Sequence, residues 1–194
     1  MDDEVWLIAG LGNPGASYAE TRHNLGYRVA DLLAERMTGS WRSQRSRLAD
    51  VVVGRLGGHP DTRVVLAKAR SYMNEAGGPI GALMRFYKIP TERMVAIHDE
   101  LDLPFGTLRV KFGGGDNGHN GLRSLRRSLG TGEFHRVRLG IGRPPGRRDP
   151  ADFVLSNFTH AERADVPMAV DRAADAVESL VAAGLSITQS RFNS

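Results

Sequence analysis

Three stretches of this chain carry chemically able side chains, at a loop after an apolar run, at a helix start and at the end of a buried segment. The first is Gly10-Leu11-Gly12-Asn13-Pro14-Gly15, a G-x-G-x-x-G loop between an apolar run and a helical pattern. A dinucleotide fold would add an acidic residue at the end of its second strand to hold the ribose. Asp31 falls at about that distance but inside the helical pattern, and the next strand ends Val53-Gly54-Arg55. The fingerprint of a dinucleotide-dependent oxidoreductase is therefore incomplete, and a tight turn that needs glycine's backbone freedom is the alternative. That turn leaves Asn13 unexplained. Its amide offers a donor and an acceptor without charge, which suits a peptide-like group.

The second stretch supplies a histidine and the third a carboxylate. His23 sits at the start of a helical pattern and off its apolar stripe, so it is expected to face a cleft or solvent. The positive end of a helix disfavours imidazolium, which would keep the ring able to accept a proton. An ordinary surface or capping histidine is the other reading. In His98-Asp99-Glu100-Leu101-Asp102, carboxylates follow a buried segment. Either one of them orients a catalytic histidine, Asp99 being the first past the strand, or His98, Asp99 and Asp102 form a metal cluster. The lack of a second ligand cluster weakens the metal. Two loops complete the inventory. Ser71 reads as a helix cap with Asn74 as early polar surface, and the glycine-dense run 113–121 reads as mobile or closely approached by a ligand.

These loops need a frame to hold them. Residues 5–9 form a compact apolar run, and Leu25, Val29, Leu32, Leu33 and Met37 then recur at helical spacing. Strands are expected at 48–54 and 62–67, joined by the breaker-rich segment 56–60, and again near 94–98, 108–112 and 137–141. Helices are expected at about 74–87 and 120–129. Thr159-His160-Ala161-Glu162 matches a capping box, Pro167 should break or restart that helix, and Gly184 should end it. The pattern predicts one α/β domain over 1–194, with a mixed, mostly parallel twisted sheet flanked by helices and a short polar tail from about 188. Ligands in such sheets bind beyond the C-terminal strand ends.

Composition narrows the chemistry. Among 194 residues there is no cysteine, so thiol nucleophiles, disulfides and zinc–thiolate sites are excluded, as suits a reducing cytosol. The opening Met1-Asp2-Asp3-Glu4 is the wrong charge for a secretory leader, and the longest apolar stretch, 5–11, is far too short to span a bilayer. A soluble, untargeted protein is expected. Charge is lopsided: residues 109–148 hold ten Lys or Arg against Asp116 and Glu133, a local +8 within a total of +4. Arg109 and Lys111 share one face of a strand, Arg136 and Arg138 one face of another, and Arg123, Arg126 and Arg127 cluster on the helix between. Three elements thus turn bases away from the core, and an extended polyanion is the expected partner, against simple solvation of a basic face.

Taken together, Gly10-Leu11-Gly12-Asn13-Pro14-Gly15, Thr21-Arg22-His23-Asn24, Tyr72-Met73-Asn74, His98-Asp99-Glu100-Leu101-Asp102 and Gly118-His119-Asn120-Gly121 closely resemble the bacterial peptidyl-tRNA hydrolase family. Each motif alone is weak, and the five in order are specific. The resemblance implies a monomeric cytoplasmic enzyme without metal or cofactor that cuts the ester between peptide and tRNA, freeing tRNA for translation. It implies that His23 is the general base on water and that Asp99 holds it. By the same resemblance Tyr18, Tyr72, Asn74 and Asn120 are substrate contacts, and Asn13 separates blocked from unblocked aminoacyl-tRNA. Lys111 and Arg138 would clamp the 5′ phosphate of the tRNA. Asp116-Asn117 departs from many relatives. A non-catalytic RNA-binding relative is the rival reading, against which the presence of His23 and Asp99 argues.

Overall fold

The computed structural model describes residues 4–57 and 62–193. The first three residues, the latter part of the expected 56–60 connection and the last residue lie outside the described residues. Seven strands form one sheet in the order β2-β3-β4-β1-β5-β7-β6. They are β1 (Glu4–Gly10), β2 (Arg42–Ser43), β3 (Ala49–Arg55), β4 (Thr62–Ala69), β5 (Met94–Glu100), β6 (Leu108–Phe112) and β7 (His135–Gly140). The central strands β4, β1, β5 and β7 run parallel, while β3 pairs antiparallel with β4 and β6 with β7. Parallel strands covered on both faces need continuous apolar sequence, which is what residues 5–9 and 94–97 provide.

Side chains of each strand alternate between two cores. Ile8, Leu66, Ile97 and Val137 pack with Leu25, Val29 and Leu33 of α1 (Leu25–Arg36) and with Val170 and Val177 of α6 (Val166–Ala183). Leu7, Ala67, Ala96 and Met94 pack on the other face with α2 (Gly77–Tyr87) and α3 (Asn120–Leu129) through Ile80, Leu83, Leu122 and Leu125. Gly26 of α1 lets the helix lie on the sheet: a Cβ there would come within 2.3 Å of the Ile97 carbonyl oxygen. The same close approach explains Gly10, whose Cβ would meet the Gly26 oxygen at 2.3 Å. Gly12 is alike, since its Cβ would meet the Tyr27 ring of α1 at 2.6 Å, so the first two glycines of the dinucleotide-like run are spent on strand–helix contact. Asp31, the would-be ribose ligand, is paired with Lys68 at 2.6 Å.

Three expectations need correction. The chain does not trail off after 187, because α7 (Leu185–Phe192) follows Gly184 and covers the edge strand β6. Asn193 gives Val110 both hydrogen bonds of a missing neighbour strand, accepting from its N–H at 2.7 Å and donating to its carbonyl at 2.9 Å. Ser71 does not cap a helix; its hydroxyl donates to the Glu75 carbonyl, and the turn Met73–Glu75 has no side-chain cap. Helix α1 begins at Leu25, after His23, since Arg22–Asn24 is a tighter 3₁₀ turn and not the start of the α-helix. The capping box at Thr159 and the restart at Pro167 are as expected: α5 (His160–Arg163) precedes α6, and α4 (Pro150–Val154) precedes both. Among the described residues no helix is long and apolar enough to cross a membrane.

Candidate active site

The loops after β1, β4 and β5 meet at the C-terminal edge of the sheet. His23 stands in the 3₁₀ turn between the first loop and α1, and Asp99 is the next-to-last residue of β5. His23 Nδ1 lies 2.9 and 3.0 Å from the two Asp99 carboxylate oxygens. A carboxylate only accepts, so Nδ1 carries the hydrogen, and Nε2 keeps its lone pair with no hydrogen bond among the described residues. Both side chains are buried yet line a cavity of about 120 Å³ with His119, Asn120 and an apolar wall of Pro150, Ala151 and Val154. Burial favours uncharged imidazole, but the Asp99 charge and hydrogen bond outweigh it and raise the His23 pKa. This corrects the expectation drawn from the helix end: a full charge in contact exceeds the partial charge of a helix terminus. Burial also opposes ionisation of Asp99, and the His23 and His119 rings beside it overcome that and hold its carboxyl well below the usual range.

His119 is the member of the site that the reading of single residues passed over. Its Nδ1 accepts from the backbone N–H groups of Gly121 and Leu122 at 3.1 and 3.3 Å, capping α3. The ring hydrogen must then sit on Nε2, which donates to Asp99 at 3.0 Å. One carboxylate therefore accepts from two histidines. The available signal was position, since His119 directly precedes a helix expected from residue 120.

His23, Asp99 and His119 offer three possible metal-ligating atoms within 4.8 Å of one another. A cation would need the Nε2 lone pair of His119. Moving that hydrogen to Nδ1 would set it against two backbone N–H groups of α3, so these residues fit a proton network better than a metal. The alternative cluster of His98, Asp99 and Asp102 does not assemble. His98 Nδ1 meets the Asp99 carbonyl at 2.8 Å, while Asp102 binds Arg143 and Asn117.

Asn13 is fixed on three sides. Its N–H and carbonyl pair with the Asn24 side-chain amide, both at 2.9 Å, and its Oδ1 accepts from the Met73 N–H at 2.7 Å. The amide is thereby oriented, and Nδ2 is left as a donor with no partner among the described residues. The Met73 contact brings the turn that carries Asn74 beside it, with Asn74 exposed. Tyr18 and Tyr72 meet edge to face, their centroids 6.1 Å apart. Asn120 opens α3 and lines the same cavity as His23 and Asp99.

A second concavity, of about 350 Å³, lies over β5, β7 and β6 and is lined by Lys111, Arg136, Arg138, His98 and Glu100 among others. Lys111 and Arg138 do share it. They are not direct cross-strand partners: Lys111 faces Arg136 and Arg109 faces Arg138. Burial and the two arginine charges lower the Lys111 pKa. Arg136 departs from the expected basic surface. It is 1% exposed and donates to the Gly114, Gly115 and Gly132 carbonyls, anchoring the glycine-rich loop. Arg138 is held at 2.8 Å by Glu100, which also accepts from Asn117, and Asp116 draws Arg123 and Arg126. Asp116 and Asn117 thus tie the loop to its surroundings.

A family model described as peptidyl-tRNA hydrolase matches residues 7–194. A peptidyl-tRNA hydrolase of Mycolicibacterium smegmatis is 58% identical over 186 residues, covering 96% of each chain. One of Streptomyces coelicolor is 57% identical over 191 residues, covering 97% of this chain and 95% of its own. Among solved structures, the peptidyl-tRNA hydrolase of Acinetobacter baumannii superposes with a TM-score of 0.90 at 34% identity, covering 99% of this chain and 96% of its own.

Proposed function

The chain belongs to the peptidyl-tRNA hydrolase family and hydrolyses peptidyl-tRNA, and from that premise we propose that His23 is the general base of the reaction and Asp99 its partner. The observation that carries this reading is the Nδ1–Asp99 pair, which leaves Nε2 beside the cavity with no hydrogen bond among the described residues. Nε2 takes a proton from water while the oxygen attacks the ester carbonyl. The tetrahedral oxyanion collapses, the terminal ribose oxygen leaves, and the proton on Nε2 passes to it. An ester already has a workable alkoxide leaving group, so such assistance, worth about 10²–10⁴-fold, needs neither a metal nor a covalent intermediate. His119 holds the second Asp99 contact and thereby the orientation of the pair.

The Asn13 Nδ2 donor faces the acyl side in this reading and hydrogen-bonds a carbonyl of the blocked substrate. Tyr18, Tyr72, Asn74 and Asn120 supply further uncharged contacts to a peptide of any sequence, and Lys111 with Arg138 receives the 5′ phosphate. The protein acts as a cytoplasmic monomer that returns tRNA to translation, a carboxylic ester hydrolase without cofactor.

The test is release of acyl group from tRNA by the purified chain. N-blocked aminoacyl-tRNA is expected to be cleaved and free aminoacyl-tRNA spared. Asn13→Asp keeps an acceptor for the Met73 N–H but replaces the free donor with a carboxylate oxygen that attracts an α-ammonium group. Its ratio of blocked to free cleavage should fall; an unchanged ratio removes Asn13 from selectivity. Absence of cleavage with intact tRNA binding would support the RNA-binding rival.

A further inference from the structure

The residue before His23 is a buried cation joined to a different part of the chain. Arg22 is 3% exposed. Its Nη1 donates to the Ser156 hydroxyl at 2.6 Å and the Asn157 carbonyl at 2.7 Å, and its Nη2 pairs with Glu162 at 2.7 Å. The guanidinium also lies over the Phe153 ring at 4.1 Å and near Phe158 at 5.2 Å. Backbone contacts follow the same seam: the Arg22 N–H donates to the Ser156 carbonyl at 3.0 Å, and Thr21 bridges to Asn157. A buried charge is retained at a cost unless its geometry does something a neutral residue would not.

What lies on the far side of that seam is the wall of the catalytic cavity. Phe153 belongs to α4, whose Pro150, Ala151 and Val154 line the cavity with His23, Asp99 and His119. Positions 150, 151 and 154 share one helical face while 153 turns away from it, so Arg22 grips the back of the wall that faces its own neighbour. Glu162 adds a second tie, since the carboxylate that holds Arg22 also accepts from the Thr159 N–H in the α5 capping box.

We propose that Arg22 is a positioning residue, which sets the distance between the His23 turn and the α4 wall and so keeps the attacking water in line with Nε2. It rests on His23 being the base, and it acts through that residue without touching substrate. Lysine at this position would keep the charge but not the fork that reaches Ser156, Asn157 and Glu162 together.

Arg22→Lys is therefore expected to lower kcat about tenfold or more, in the range that a misplaced reacting group costs, with KM within about twofold. Hydrogen exchange of 150–158 should quicken while that of the sheet does not. Arg22→Lys and Val154→Ala should be non-additive in kcat, because both open the same wall. In Arg22→Ala, millimolar guanidinium should restore part of kcat by filling the slot between Phe153 and Phe158. A folded Arg22→Lys protein with wild-type kcat would overturn the proposal. So would a loss that guanidinium does not relieve and that tracks only the folded fraction. His23→Ala measured alongside separates the two readings: activity surviving there removes the base itself, whatever Arg22 does.

Discussion

Asp99 accepts hydrogen bonds from two histidines with opposite assignments, Nδ1 of His23 and Nε2 of His119. That arrangement sets the direction of the pH dependence. His23 is raised above its ordinary value because the Asp99 charge and hydrogen bond outweigh burial, so wild-type activity should climb as pH rises through that raised value and the base loses its proton. Asp99→Asn removes the charge and leaves the burial, so the acid limb of kcat/KM should move to lower pH while the plateau falls. A limb that stays in place would mean that Asp99 does not govern the His23 proton. The same sign applies to stability. A histidine raised on folding contributes most below its unfolded value, and that contribution fades as pH passes the folded one. At this level the sequence was legible where type and position agreed, as for His23 and Asp99. It was silent on the His119 tautomer, which depends on two backbone N–H groups that only the folded α3 presents.

Strands and helices fix how closely these side chains approach. Helix α1 lies on β1 and β5 through Gly26, where an added Cβ would also come within 2.5 Å of the Leu11 backbone. Gly26→Ala should destabilise the fold by about 1–3 kcal/mol or more, read as a lower urea midpoint, since rigid backbone surrounds the site. An unchanged midpoint would mean that the contact is loose. The antiparallel pair of β6 and β7 brings Lys111 and Arg138 into one concavity. If a 5′ phosphate binds there, Lys111→Ala or Arg138→Ala should raise KM for full-length substrate and reduce the salt dependence by about one counterion. Cleavage of a minimal substrate without the 5′ end should be spared. Equal losses on both substrates would point to damaged folding instead. Periodicity gave most of these segments because their apolar faces are long and regular. It missed α4 and α7, since five- and eight-residue helices with few buried side chains leave little pattern, and it mistook the short 3₁₀ turn at Arg22 for helix.

The sheet places two chemistries along one edge, a proton network over β1 and β5 and a basic concavity over β7 and β6. The sequence already displayed the basic part as a +8 window within a total of +4. It could not display that part of the positive charge is buried or paired. Arg136 disappears beneath the glycine-rich loop, Asp116 occupies Arg123 and Arg126, and Glu100 holds Arg138. Net charge therefore overstates what a polyanion can reach. In the proposed reading, phosphate binding and catalysis sit at separate places on the edge, so they can be lost separately. The decisive measurement is single-turnover release of peptide from N-blocked aminoacyl-tRNA by wild-type protein and His23→Ala, with tRNA affinity recorded for both. The proposed chemistry predicts retained affinity and release slowed at least about a hundredfold in His23→Ala; release at the wild-type rate would contradict it.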